Sequence, residues 1–136
     1  MAKDMKISAA AANAAVDAVR VLLDAGGAGS VEVYGGSVPA NVAAGHGTDL
    51  LATITLAATA FSAAASGVAT AKTGTTAETS ASSGTATFFR ARQNGGTDVI
   101  QGTCGVGTFD MNMNTTSIAA GATVSLTSWT ITLPLG

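Results

Sequence analysis

The sequence predicts a mainly β protein, an antiparallel β-sandwich or jelly-roll-like barrel carrying one N-terminal α-helix. Two observations predict it. Only one stretch, Ser8 to Asp24, repeats its apolar residues with helical spacing, and everything after it consists of short runs with two-residue alternation separated by turn residues. The 136 residues fit a single domain, with the helix over 8–24 and the β-sandwich over 30–133.

In the helix, Ile7, Ala11, Ala14, Ala18 and Leu22 fall on one stripe with Ala15, Val19 and Leu23 beside it, while Asn13, Asp17, Arg20 and Asp24 fall elsewhere. The expectation is that the alanine stripe lies flat on the protein's own sheet, with a position between subunits as the alternative. Ser8 suits the N-cap, where its hydroxyl accepts from a free amide of the first turn, and Gly26 and Gly27 suit the left-handed backbone that ends helices.

Val31 and Val33 alternate with Glu32 and Tyr34 in a strand over Ser30 to Tyr34, and Gly35 to Pro39 turns the chain. Asn41 to Thr48 has no period and reads as a surface loop. Asp49 to Leu56 is a strand with Leu50, Ala52, Ile54 and Leu56 inward and Leu51, Thr53 and Thr55 outward. Ala57 to Ser66 reads as a loop anchored by Phe61, Val68 to Lys72 as a short strand, and the polar run Thr73 to Ser83 as a long exposed connection. Thr85 to Arg92 and Thr97 to Cys104 flank Gln93-Asn94-Gly95-Gly96, residues tolerant of positive φ, which predicts a hairpin. Met111 and Met113 alternate with asparagines in another strand, and Ala120 and Gly121 turn into the last one. There Val124 and Leu126 point inward, and the phase then shifts to Trp129, Ile131 and Leu133, predicting a bulge near Thr127 before Pro134 ends the ladder. Phe88 and Ile100 complete the expected inward set.

Composition narrows function. A charged fraction of 10%, an aromatic fraction of 4% and a net charge of -2 give no general attraction to nucleic acid or an anionic membrane. No stretch approaches the ~20 apolar residues of a membrane-spanning helix. Asn13, Asp17, Arg20 and Asp24 interrupt any signal-peptide core, so the expectation is synthesis in a cytoplasm without secretion. With 17 glycines and few large apolar residues, burial against other subunits is expected.

No catalytic, cofactor or metal site is predicted. His46 is the single histidine, with Asp49 near it in sequence, but a metal would require more ligands than this neighbourhood supplies. Cys104, the single cysteine, alternates with apolar strand residues and reads as buried packing. The glycine runs Gly26 to Ser30 and Gly35 to Ser37 lack a phosphate-loop lysine and read as turns. Arg90 and Arg92 share one strand face beside Phe88 and Phe89, the nearest approach to a nucleic-acid surface, yet Asp98 lies opposite and a protein contact or solvated face is the expectation. Asn114-Thr115-Thr116 spells a glycosylation sequon without meaning in an unsecreted chain.

The segments LLDAGGAGSVEVY, DLLATITL, SGTATFFRARQNGGTDVIQGT and DMNMNTTSIAAGATVSLTSWTITLP together resemble a family of small virion proteins of tailed bacteriophages and prophages, along nearly the whole chain. The resemblance implies a non-enzymatic structural protein similar to capsid decoration or cement proteins. Such a protein is made in the bacterial host cytoplasm and bound to the major capsid protein or another virion protein, as a homo-oligomer with a trimer favoured. It carries over no site residue. A tail, tail-tip or neck component is an alternative, and a carbohydrate or receptor-binding β-sandwich another, although the latter would call for more exposed aromatics than Trp129 and Tyr34 supply.

Overall fold

The computed structural model describes residues 5–72, 78–79 and 82–133. Helix α1 (Ala9–Asp24) starts where Ser8 Oγ accepts from the Ala11 amide at 3.1 Å. It ends at Gly26 and Gly27, whose φ of 78° and 125° are left-handed, with the Gly27 amide closing on the Asp24 carbonyl. Among the described residues eleven strands follow: β1 (Ser30–Tyr34), β2 (Leu50–Thr55), β3 (Val68–Thr70), β4 (Glu78–Thr79), β5 (Gly84–Thr85), β6 (Phe88–Arg92), β7 (Asp98–Gly105), β8 (Met111–Met113), β9 (Ser117–Ile118), β10 (Thr123–Val124) and β11 (Leu126–Thr132).

Seven of them form one curled sheet in the order β2-β1-β6-β7-β8-β11-β3, and two small pairs, β10-β4 and β5-β9, complete the β structure. The predicted class holds: mainly β, sandwich or barrel-like, with one helix. Among the described residues all strand pairings are antiparallel except one. The first two residues of β8 run parallel to the end of β7, Cys104 opposite Met111 and Gly105 opposite Asn112, because the chain steps sideways through 106–110 without reversing.

The hairpin of β6 and β7 forms around Gly95 and Gly96, both at positive φ. The bulge predicted near Thr127 is present: Leu126 faces Met113 and Ser128 faces Asn112, leaving Thr127 unpaired and returning Trp129 to the core. Two further register shifts depart from the sequence expectation: in β7, Ala91 pairs with Ile100 and Arg92 with Asp98, leaving Val99 extra, and in β2 the shift falls at Leu51. Val33 pairs with Ala52 and Tyr34 with Leu50, so Leu51 is the extra residue; it is buried, whereas Leu50, expected inward, is half-buried. Ile100 and Ile131 are likewise only half-buried, while Val31, Val33, Ile54, Leu56, Val124, Leu126 and Trp129 lie inside as expected. The polar run Thr73 to Ser83 lies largely outside the described residues, but its residues 78–79 form β4 against β10, so it is not wholly a loop. Pro134 also lies outside them.

The main core gathers on one face of the curled sheet. Trp129 is its centre, with Phe61 and Phe89 edge-on at centroid distances of 4.7 and 5.1 Å, surrounded by Ile54, Met111 and Met113. Phe61 anchors the 57–66 loop as predicted. Gly102 in β7 leaves the space Phe89 needs, since a Cβ there would stand 2.8 Å from that ring. Phe88 is buried too, but on the opposite face: it stacks on Tyr34 at 5.1 Å, under the segment that follows β1.

The helix is turned relative to the sequence expectation. It packs on β3 and β7 through Ala12, Val16 and Leu23, which are buried, with Val19 half-buried. Ala11, Ala14, Ala18 and Leu22, expected to lie on the sheet, are exposed. The polar residues decide the rotation. Asn13 Oδ1 accepts from the Gly67 amide (2.8 Å), Asp17 Oδ1 from Ala64 (3.0 Å) and Asp24 Oδ1 from Ala60 (3.0 Å), so one stripe of side chains ties down the loop before β3. Those amides have no ladder partner, and leaving a part-buried donor unmet costs about 1–3 kcal/mol each. That outweighs the small area an alanine loses by staying in water.

Candidate functional site

The residues with chemistry are scattered among structural duties. On the outer face of β1, β6 and β7, Glu32, Tyr34, Arg90, Arg92, Asp98 and Gln101 form one connected network. Arg90, 2% exposed, donates through Nη1 to Asp98 (3.1 Å), through Nε to Gln101 (3.0 Å) and through Nη2 to the backbone carbonyls of Asn41 and Ala44. Arg92 donates to Asp98 and Glu32, both at 2.6 Å, and to the Gly96 carbonyl. The Tyr34 hydroxyl donates to Glu32. Burial, then the Glu32 carboxylate, push the Tyr34 hydroxyl above its ordinary pKa, and the same carboxylate raises Arg92.

Of the two expected readings of these arginines, a protein contact or a solvated face, the solvated one is corrected: two guanidiniums and two carboxylates neutralise one another, and Arg90 holds the 41–44 loop against the sheet. Gln101 Nε2, donating to the Pro39 carbonyl at 2.8 Å, extends the same clamp. Arg90 is buried within this network, and Arg92, its side chain 26% exposed, directs its donors to Glu32, Asp98 and Gly96. Strand alternation placed Arg90 and Arg92 together in the sequence, but the carbonyl acceptors come from a segment about 50 positions upstream with no pattern of its own.

His46 is exposed, sits over Tyr34 with centroids 4.8 Å apart, and meets the Gly47 carbonyl at 2.8 Å. It is the lid of the Phe88–Tyr34 stack, and no hydrogen bond joins it to Asp49. Asp49 instead borders an open cleft of about 440 Å³ with Gly35, Gly36, Ser83, Thr85 and Thr87. Thr87 Oγ1 donates to the Gly36 carbonyl there. The cleft brings hydroxyls and one carboxylate together, and neither a histidine nor a cysteine is among the described residues that line it.

Cys104 is buried, and burial pushes its thiol up to about 12, far from a reactive thiolate at neutral pH. Asn114 uses both ends of its amide: Nδ2 donates to the Thr123 carbonyl and Oδ1 accepts from the Ser125 amide, which fastens β8 to the strand before the Thr127 bulge. Among the described residues no group of three or more His, Cys, Asp and Glu is placed to hold a metal. No described helix is long and apolar enough to cross a membrane.

The outer face of α1 is one apolar surface left open among the described residues, beside the exposed Val38, Val106 and Phe109 elsewhere. Ala10, Ala11, Ala14, Ala15, Ala18, Val21, Leu22 and Ala25 are all exposed, Val21 by 59% and Leu22 by 49%, and no polar or charged side chain lies among them. Beside Ala15 the face runs into an apolar cleft of about 210 Å³ lined by Val16, Val19, Ile131 and Leu133. The sequence pattern contained this stripe but not its orientation. Comparison of the chain with protein-family models, with curated protein sequences and with solved structures returned no match.

Proposed function

We propose that this chain is a non-enzymatic structural protein of a tailed-phage virion, a capsid decoration protein that binds the outside of the shell as a homo-oligomer, with the major capsid protein as its partner. The observation that carries this reading is the uncharged, uncovered outer face of α1. A solvent-facing helix ordinarily places its polar residues on that side; here they point inward to hold a loop, and the apolar side faces out. Such a surface suits burial against protein.

The resemblance to small virion proteins supplies the kind of assembly. The low charge agrees with repeated close packing, since like copies repel one another little. The carbohydrate-binding alternative loses ground because Trp129 and Tyr34 are both buried, so neither offers a ring for a sugar to stack on.

The test is binding of the purified chain to particles produced without it. Saturable binding at a fixed number of copies per shell, seen on the capsid exterior by cryo-electron microscopy, is the expected result. Density at the neck or tail would move the assignment to those structures. A folded chain that binds no part of the particle would remove the virion reading.

A further inference from the structure

We infer that the outer face of α1 is the surface through which two copies of this chain associate, the helices packing antiparallel about a two-fold axis near Ala18. The inference deepens the proposed homo-oligomer, on which it rests for its motive, and puts a two-fold contact where the resemblance favours a trimer. Three observations lead to it.

The spacing comes first. Ala11, Ala15, Ala18, Leu22 and Ala25 follow one another at intervals of four, three, four and three residues, and all are exposed. That is the a/d seam of a helix packed along its length on another helix, a narrower stripe than one made for lying on a sheet. The flanking positions, Ala14 and Val21, are apolar and exposed as well.

Size along the seam then sets the direction. The large residues, Val21 and Leu22, stand at the C-terminal end, and the N-terminal half offers only alanines. In a parallel pair Leu22 would meet Leu22 and hold the alanines apart. In an antiparallel pair the Leu22 knob of each copy enters the hole bounded by Ala11, Ala14, Ala15 and Ala18 of the second copy, so bulk fills space at both ends. This arrangement is self-complementary, as a two-fold interface must be, and sets each helix dipole against its opposite.

Charge and area choose a second copy over an unrelated partner and set the strength. A face with no charged side chain meets itself without repulsion and gives a charged partner nothing to pair with. The seam is about 21 Å long, and the apolar cleft beside Ala15 broadens it on one side. Even so broadened, it falls short of the roughly 800 Å² per partner of a standard interface. The association is therefore weak in dilute solution and gains when many copies are held on one surface.

Directed cross-linking on the full-length protein tests this. With the axis near Ala18, the variant Ala18→Cys forms a disulfide with itself under mild oxidation. Ala11→Cys alone and Ala25→Cys alone do not, because each lies about 21 Å from its own copy, yet a mixture of the two cross-links as a heterodimer. Cys104 is buried and takes no part, and Thr108→Cys, an exposed position away from the helix, remains uncross-linked as the collision control. Circular dichroism confirms that each variant is folded. Self-linking of Ala11→Cys and Ala25→Cys would overturn the antiparallel arrangement, and the lack of any helix-specific cross-link at high concentration would overturn the interface. A chain that cross-links as expected but binds no particle would refute the virion reading and leave this inference standing.

Discussion

Asp98 sits between two guanidiniums, one of them buried, and a buried charge that loses its partner is among the most costly changes a small protein can suffer. Asp98→Ala is therefore expected to lower unfolding free energy by about 3 kcal/mol, read from the denaturant midpoint. Asp98→Asn should cost less, because an amide oxygen still accepts from Arg90 or Arg92. Cys104 makes an independent gauge of the core: with its thiol raised to about 12 and the side chain buried, alkylation at neutral pH should proceed only through opening of the sheet. Labelling as fast as that of a free thiol in the folded protein would contradict the placement of β7. Asp17 gives a pH dependence. The Ala64 amide, and after it Arg20, hold its carboxyl below the ordinary value, so the folded protein binds that proton less tightly than the unfolded chain. Its contribution is complete above the unfolded value of about 3.9 and is lost as pH falls through the depressed folded value. Hydrogen-exchange protection of Ala64 should fall in acid, and Asp17→Asn should flatten that dependence.

At the scale of the element, adjacent helix residues provide the sharpest contrast. Leu23 is fully buried and Leu22 is 49% exposed, so Leu23→Ala should cost about 2–5 kcal/mol, whereas Leu22→Ala should stay within about 0.5 kcal/mol in the monomer. Equal costs in thermal or chemical denaturation would mean that the helix is rotated from the position described. Asn13→Ala, which strips the Gly67 amide of its acceptor, should cost about 1 kcal/mol. Strands were legible in the sequence wherever one neighbour was apolar and the next polar, because burial on a sheet imposes a period of two. The Thr127 bulge was legible for the same reason, since the phase visibly changes between Leu126 and Trp129. At Leu50-Leu51 both neighbours are apolar and a slipped register leaves no trace, so the Leu51 bulge was hidden. The helix face misled because hydropathy treats Asn13, Asp17 and Asp24 as solvent-seeking, while their partners are backbone amides of a loop up to 54 residues downstream. Amide donors carry no side-chain signature.

For the whole molecule, the sequence indicated the class, the single helix and the scattered placement of His46 and Cys104, but it did not show that both faces of the sheet around β1 and β6 are covered. The 35–48 segment does that through Arg90 and the His46–Tyr34–Phe88 stack, while the helix keeps an apolar surface facing water. On the proposed reading, this helix face is buried against other protein. Sedimentation velocity of the wild-type chain and of Leu22→Glu, from dilute solution to about 1 mM, tests it most directly. Wild-type protein is predicted to shift reversibly from monomer toward dimer as concentration rises, while Leu22→Glu, folded and of unchanged stability, stays monomeric throughout. A wild-type chain that remains monomeric over the whole range, or a Leu22→Glu variant that associates as well as wild type, would contradict the account.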